Sequence, residues 1–382
     1  MHINFKKHLP LLILYLCAAL IFIGAYHLAK PAPEEQIEAA EYAEYETATV
    51  TMILSDSTER DETSDNSWRG EQLLIVDVTS GQYKGQTMQV SNYVGPLYSV
   101  PLEVGDSAVI IISTYKDGSH LGTVYEYNRF VPILIVVGLF VLATVLVGGK
   151  TGAKSLLGLL LTLATLFYIL IPALMKGAPT LLTTFFVCAY ITVISLAILG
   201  GLSQKTICAM LGTISGTGLA MIFGLISQNL LRISGMRVPD AEALLQLQRT
   251  GVPIGISGLL VAGVIISALG AVMDVAMSIS SALTEVLAAN PALTCKDLIR
   301  SGMNIGRDMV GTMTNTLILA LLGSSTVLIV YLYSLSLSTH QLLSSSYVAI
   351  ELVSSISSSI GVILAVPVTV LINAFVLTHK NN

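Results

Sequence analysis

Charge is scarce in this sequence. Of its 382 residues, 11% are Asp, Glu, Lys or Arg against 53% apolar, and the mean hydropathy is +0.77. That balance excludes an ordinary water-soluble domain and indicates an integral membrane protein. Cysteine is scarcer still. The four present, Cys17, Cys188, Cys208 and Cys295, lie in or beside hydrophobic segments, so there is no disulfide framework and no Cys/His spacing suited to a metal. His2, His8, His27, His120, His340 and His379 all stand apart from the other chemically able side chains. There is no GxSxG, no HExxH and no nucleotide-binding motif, so an enzyme is not expected and nothing asks for a cofactor. The formal net charge of −5 averages over unequal parts and by itself says nothing about nucleic acid; the acidic surface expected of residues 30–129 argues against it.

What the chain has instead is a series of hydrophobic runs near the 20-residue length that a bilayer requires. The first, from Leu9 to about Ala29, follows Lys6 and Lys7; it is long for the apolar core of a signal peptide and ends in AYHLAKPAP, a poor cleavage site. Residues 1–29 therefore read as an uncleaved anchor with its amino terminus inside. Seven further runs follow at about 130 to 148, 154 to 174, 179 to 201, 205 to 229, 252 to 273, 309 to 334 and 347 to 377, making about eight spans in all.

Between the anchor and residue 130 the character changes. Residues 30–129 hold six basic against seventeen acidic residues, a balance of −11. Residues 30–46, with PEEQIEAAEYAEYE, read as an exposed acidic linker, and SDSTERDETSDNSWRG reads as a loop. The runs ETATVTMIL, EQLLIVDVTSG, QTMQVSNYV, DSAVIIISTY and HLGTVYEYNRF are separated by turns such as SGQYKG, LEVGD and KDGS. Five short strands at this spacing predict a small β-barrel of the OB or SH3-like kind over residues 47–129.

Loop charges set the orientation. With the amino terminus inside, the cytoplasmic positions hold Lys6, Lys7, Lys150, Lys154, Lys205, Lys296, Arg300, Arg307 and Lys380, against Lys176, Arg232, Arg237 and Arg249 outside. This expectation places a multi-pass protein in the bacterial cell (cytoplasmic) membrane, both termini cytoplasmic and residues 30–129 extracytoplasmic. Within the 232 to 250 loop, PDAEALLQLQ can form a short interfacial helix.

Residues 251 to 316 are where function is sought. There Asp274, Glu285, Arg307, Asp308, Asn304 and Asn315 are threaded through apolar, glycine-rich sequence, and charges in such a setting are costly without a partner or a water-filled cavity. Asp274, Ser278, Ser281 and Glu285 fall on one helix face, and Asn304, Asp308, Gly311 and Asn315 repeat the same spacing. Two helices flanking the Asn290-Pro291 turn can thus present two polar stripes to one another as a substrate or ion site. The plainer reading is helix packing by small polar residues, with Arg307 neutralising a carboxylate. Whether 274 to 307 lies below the membrane or re-enters it after a break at Gly270 is open at this stage. Thr294 and Asp297 resemble a capping box. Glu351, with Ser355 and Ser358 on its face, is a secondary candidate, and GTISGTGLAMIFG is a close-packing surface rather than a phosphate loop.

The blocks GAVMDVAMSISSALTEV and NPALTCKDLIRSGMNIGRDMVGTMTNTLILALLGSS resemble the signature region of the YibE/F family of bacterial multi-spanning membrane proteins. The resemblance extends to the layout, an amino-terminal anchor, an extracytoplasmic β-rich domain ending in YEYNRF, and then a seven-span domain over residues 130–382 with a signature hairpin at 270–316. It implies a transporter-like architecture and supplies no catalytic residues. The functional expectation is a transporter or permease for a small solute or ion; the alternative is a permease-like or scaffold subunit. Its partners would be the lipid bilayer, a second copy in a homo-oligomer, or another membrane or ATPase subunit.

Overall fold

The computed structural model describes residues 5–29, 43–114, 120–233, 235 and 241–378. The acidic linker up to residue 42, the KDGS turn, and Arg237 and Lys380 of the charge count lie outside them. The chain divides into two compact units, Ala32–Ala143 and Met1–Pro31 with Thr144–Asn382.

The first unit contains β1 (Ala43–Asp56), β2 (Glu59–Asp61), β3 (Ser67–Val78), β4 (Thr87–Val94), β5 (Ser107–Thr114) and β6 (His120–Tyr127). Apart from β2 the strands close into a ring of order β1-β3-β4-β6-β5-β1. Every ring pair is antiparallel except β4 with β6, which run parallel where Val90 opposes Gly122. A Cβ on Gly122 would collide with the Val90 side chain, so a side chain there would push this closing pair apart. The alternation visible in the sequence fills the interior: Ala48, Val50, Leu74, Val76, Val78, Val90, Ala108, Ile110 and Ile112 are all buried. Two buried polar residues tie the loop after β4 to the barrel. Gln72 Oε1 accepts from Asn92 Nδ2 and from the Leu102 amide, both at 2.9 Å.

Sequence expectations fail at two places in this unit. β1 begins at Ala43, so residues 43–46, read as the end of the acidic linker, are strand paired with β5. SDSTERDETSDNSWRG is not simply a loop, because β2 pairs with the start of β3, with Arg60 opposite Trp68. Asp65 and Asn66 adopt left-handed backbone conformations in the turn, which their short polar side chains tolerate. Arg60 lies 4.5 Å over the Trp68 ring, and Asp61 pairs with Arg69 at 3.3 Å. Polar composition concealed the hairpin.

The helices are α1 (Phe5–Ala29), α2 (Phe130–Thr165), α3 (Ile171–Met175), α4 (Thr180–Gly200), α5 (Gln204–Leu230), α6 (Ala241–Arg249), α7 (Leu259–Ala289), α8 (Cys295–Ser324), α9 (Thr326–Ser334), α10 (Thr339–Leu343) and α11 (Ser346–Thr378). Among the described residues six stretches are long and apolar enough to cross a membrane, or seven with α8 and α9 taken as one span bent by 60°. The run from Phe130 to Met175 counts once in that tally, but it is interrupted at Gly149, with φ 54° and ψ −135°. Only glycine adopts that backbone readily. A π-helical turn at Leu166–Leu170 joins α2 to α3, where Pro172 withholds a backbone donor.

Helices α5, α7 and α11 form the packed centre of the second unit. Glycine permits the close approach, as a Cβ at Gly216 would sit 2.6 Å from the Ala365 Cβ and one at Gly361 equally close to that of Ala220. The expected close-packing role of GTISGTGLAMIFG is what the helices show. Hydroxyls within these helices turn inward on their own backbones, for example Thr213 to Ala209 O and Ser359 to Ser355 O, each at 2.8 Å.

Candidate functional site

The two helices flanking the Asn290-Pro291 turn are longer than the sequence implied. Helix α7 runs unbroken through Gly270 and Asp274 to Ala289, so no re-entrant break occurs at Gly270. A membrane helix tolerates glycine when its neighbours keep the backbone satisfied. Likewise α8 starts at the Thr294 cap and passes straight through Gly306 into the run read as a span from about residue 309. The capping box is present: the Thr294 hydroxyl accepts from the Asp297 amide at 3.3 Å, and the Asp297 carboxylate accepts from the Thr294 amide at 3.0 Å.

Each helix has an apolar face and a polar one. On α7, Val272, Val275, Ala276, Ile279 and Leu283 are fully buried, whereas Asp274, Ser278 and Glu285 are exposed and Ser281 is half-buried. On α8, Leu298, Gly302 and Gly306 are buried. A Cβ on Gly302 would meet Val370 at 2.9 Å and one on Gly306 would collide with Val366, which places this face against α11. Asn304, Arg307, Asp308, Gly311 and Asn315 lie on the other side and are exposed.

The polar stripes are therefore real but are not brought together. Among the described residues no hydrogen bond or ion pair joins Asp274, Ser278, Ser281 or Glu285 to Asn304, Arg307, Asp308 or Asn315. The one link within the set runs from Arg307 Nη1 to Asn304 Oδ1 at 3.3 Å. Among the described residues Arg307 forms no ion pair with a carboxylate, and its fork turns back along its own helix to Asn304. Glu351 is half-buried near the start of α11, while Ser355 and Ser358 on its face are buried. Ser358 is taken up by a 2.8 Å hydrogen bond with Ser267 of α7.

The region containing these helices also decides the family. Residues 136–379 match the model of the YibE/F-like protein family. The chain belongs to that family. It matches no curated protein and no solved structure.

Two cavities in this YibE/F-like chain lie away from the polar stripes. One, of about 820 Å³, is an apolar slot between α1, α2 and α4, lined by residues such as Phe22, Leu157 and Ile194, with Lys154 at its rim and Tyr15 and Tyr190 on its wall. Both tyrosines are engaged, Tyr15 to Ala197 O at 3.2 Å and Tyr190 to Ala18 O at 2.9 Å. The other, of about 600 Å³, lies between the segments 177–182 and 248–258. Neither is lined by an acidic residue, and no group of three or more His, Cys, Asp or Glu suited to a metal ion occurs among the described residues.

A neutral polar cluster escaped the sequence reading. Asn373 of α11 is fully buried and donates to Ser280 Oγ of α7 at 2.9 Å and to Thr369 O at 2.8 Å. The Asn373 Oδ1 and Thr369 Oγ1 atoms have no partner. Attention to charge passed these residues over. The available signal was a lone Asn four residues after a Thr within an otherwise apolar run, a pattern suited to bonding across a helix pair.

Proposed function

We propose that the protein is a transporter or permease for a small solute or ion, and that its pathway uses the polar faces of α7 and α8. The observation that carries this reading is the exposed set Asp274, Asn304, Arg307, Asp308 and Asn315 on helices whose opposite faces are built into an apolar bundle. A carboxylate or guanidinium facing lipid at a helix centre costs about 2.5–3.5 kcal/mol on insertion scales. Residues with that cost are retained where they meet water, a solute or another protein. Asp274 and Asp308 are the proposed cation or proton ligands, Asn304 and Asn315 neutral ligands, and Arg307 the balancing charge.

The remainder of the architecture belongs to the same proposal. The stretch Phe130–Met175 has 46 residues, about 69 Å of helix at 1.5 Å per residue, against a hydrocarbon core of about 30 Å. Divided at Gly149 it supplies two spans, and with the bent α8–α9 pair the count becomes eight. An even count supports both termini on one side, and the lysine and arginine balance supports a cytoplasmic side for them and an extracytoplasmic one for the barrel. The ring order, with its single parallel closing pair, favours the OB kind over the SH3 kind.

The test is thermal unfolding of the purified protein against metal ions, amino acids, nucleotides and pH, run beside Asp308→Asn. A ligand at a hundred times its dissociation constant adds about 2.7 kcal/mol to the folded state. The expected outcome is a ligand-dependent shift in wild type that Asp308→Asn loses at normal protein levels. An equal shift in both proteins removes Asp308 from the site. A second reading, a permease-like subunit that works with a partner such as an ATPase, is favoured by the exposed turn at Asn290–Ala292 with Lys296 and Arg300 beside it. Pull-down from native membranes without any stoichiometric partner would count against it.

A further inference from the structure

The exposed face of α8 is patterned along its length. Asn304, Asp308, Gly311 and Asn315 follow a 4-3-4 spacing, and the same register continues to the half-buried Ile318 and the exposed Leu322 and back to the half-buried Ser301. These are the a and d positions of a heptad, the spacing of a seam between two helices crossing at a shallow angle. The seam lies opposite Leu298, Gly302 and Gly306, so a helix docked on it does not compete with α11. Gly311 has open space where a Cβ would stand, which allows a second backbone to come close. Arg307 takes the flanking g position, from which side chains reach across to a neighbouring helix.

The charges identify the occupant. Arg307 and Asp308 are adjacent, opposite in sign, exposed, and without an ion-pair partner among the described residues. Two copies of α8 related by a two-fold axis along the membrane normal run parallel and meet at equal heights. Asp308 then meets its own counterpart at the seam, and the Arg307 of each copy, at the flanking g position, lies beside the other copy's Asp308, so that the pairing is made twice and offsets the like charges. Asn315 meets its own counterpart one heptad along from Asp308, where a buried Asn sets register and favours a pair of helices.

We infer that α8 is a homodimer seam, joined by reciprocal Arg307–Asp308 pairs, and that the solute pathway proposed above is complete only when the second copy covers it. The inference rests on the transport reading for what the seam encloses, not for the existence of the seam.

The test is disulfide trapping in native membranes, in a chain with Cys17 and Cys295 replaced by Ser. Cysteines at equivalent seam positions approach within the roughly 7 Å Cα separation that a disulfide spans. Gly311→Cys and Ile318→Cys should each yield a dimer-sized band on mild oxidation. Ala320→Cys, exposed but on the other side of α8, should not. Arg307→Asp and Asp308→Arg should each reduce the band, and the double charge exchange should restore it. Normal protein levels with neither seam cysteine above the Ala320→Cys control would overturn the inference. So would a trapped adduct of another mass, which would name a different partner, or a double exchange no better than its singles. A dimer band with no response to any solute would leave the seam standing and sink the transport reading.

Discussion

Gly306 and Gly311 stand five residues apart on one helix and meet opposite surroundings. A Cβ at Gly306 collides with Val366, whereas at Gly311 nothing lies within reach. Gly306→Val should therefore overpack the α8–α11 contact and cost about 1–3 kcal/mol. Gly311→Ala should leave the chain's own packing intact. Thermal unfolding in detergent checks both, and equal losses would contradict the two-faced description of α8. At the same scale, Ser280→Ala removes one bond from Asn373 while the bond to Thr369 O remains. The expected cost is about 0.6 kcal/mol, typical of interhelical hydrogen bonds in membranes. What the sequence disclosed at this scale was which residues share a helix face, because periodicity sets angles about an axis. It did not disclose which way each face points, because that depends on neighbours distant in sequence. Asp274 and Asp308 were found for their charge, and Asn373 was missed for its lack of one.

Among the elements, the β2–β3 hairpin has its own acid sensitivity. Asp61 accepts from the Thr63 hydroxyl and amide, and these bonds, aided by the charge of Arg69, hold its carboxyl below the ordinary value. Asp56 is likewise held low, by the Thr58 hydroxyl and amide and by Gln72. A carboxyl depressed in the folded state contributes stability that is fully present above its unfolded value, about 3.9, and is lost as pH falls through the folded one. The hairpin should thus loosen below about pH 4. Trp68, the single tryptophan of the chain, reports it: its emission should change on acidification of the full-length protein, and Asp61→Asn should have a weaker transition. An unchanged spectrum down to pH 2 would disprove the role given to these caps. The barrel strands were legible because alternation and burial coincide along β3 and β5. The hairpin was not, since its strand pairing rests on polar side chains, and neither was the continuity of α7 past Gly270, where packing overrides a helix-breaking residue.

For the whole molecule, the proposed orientation makes a prediction that chemistry can read in intact cells. Lys84→Cys, on an exposed turn of the barrel, should react with a membrane-impermeant maleimide from outside. Thr151→Cys, just past the Gly149 break, and Lys296→Cys, at the start of α8, should react only after the membrane is opened. The reverse pattern would invert the topology, and labelling of Thr151→Cys from outside would remove the break as a cytoplasmic turn. Composition and run length made the membrane class evident from sequence. The number of spans differs, since the runs read separately at 130 to 148 and 154 to 174 lie in one helical stretch, Phe130–Met175, interrupted at Gly149.

The bond from Tyr15 to Ala197 O spans 182 positions of sequence, and that from Tyr190 to Ala18 O spans 172. Helix α1 thus finds these two partners only after more than 170 further residues have been made. During synthesis the main partners of α1 come only after the barrel and α2 have been made, first the Leu166–Leu170 turn and α3 and then α4. The order of manufacture is therefore not the order of assembly, and a chain halted before residue 166 would leave α1 without these partners.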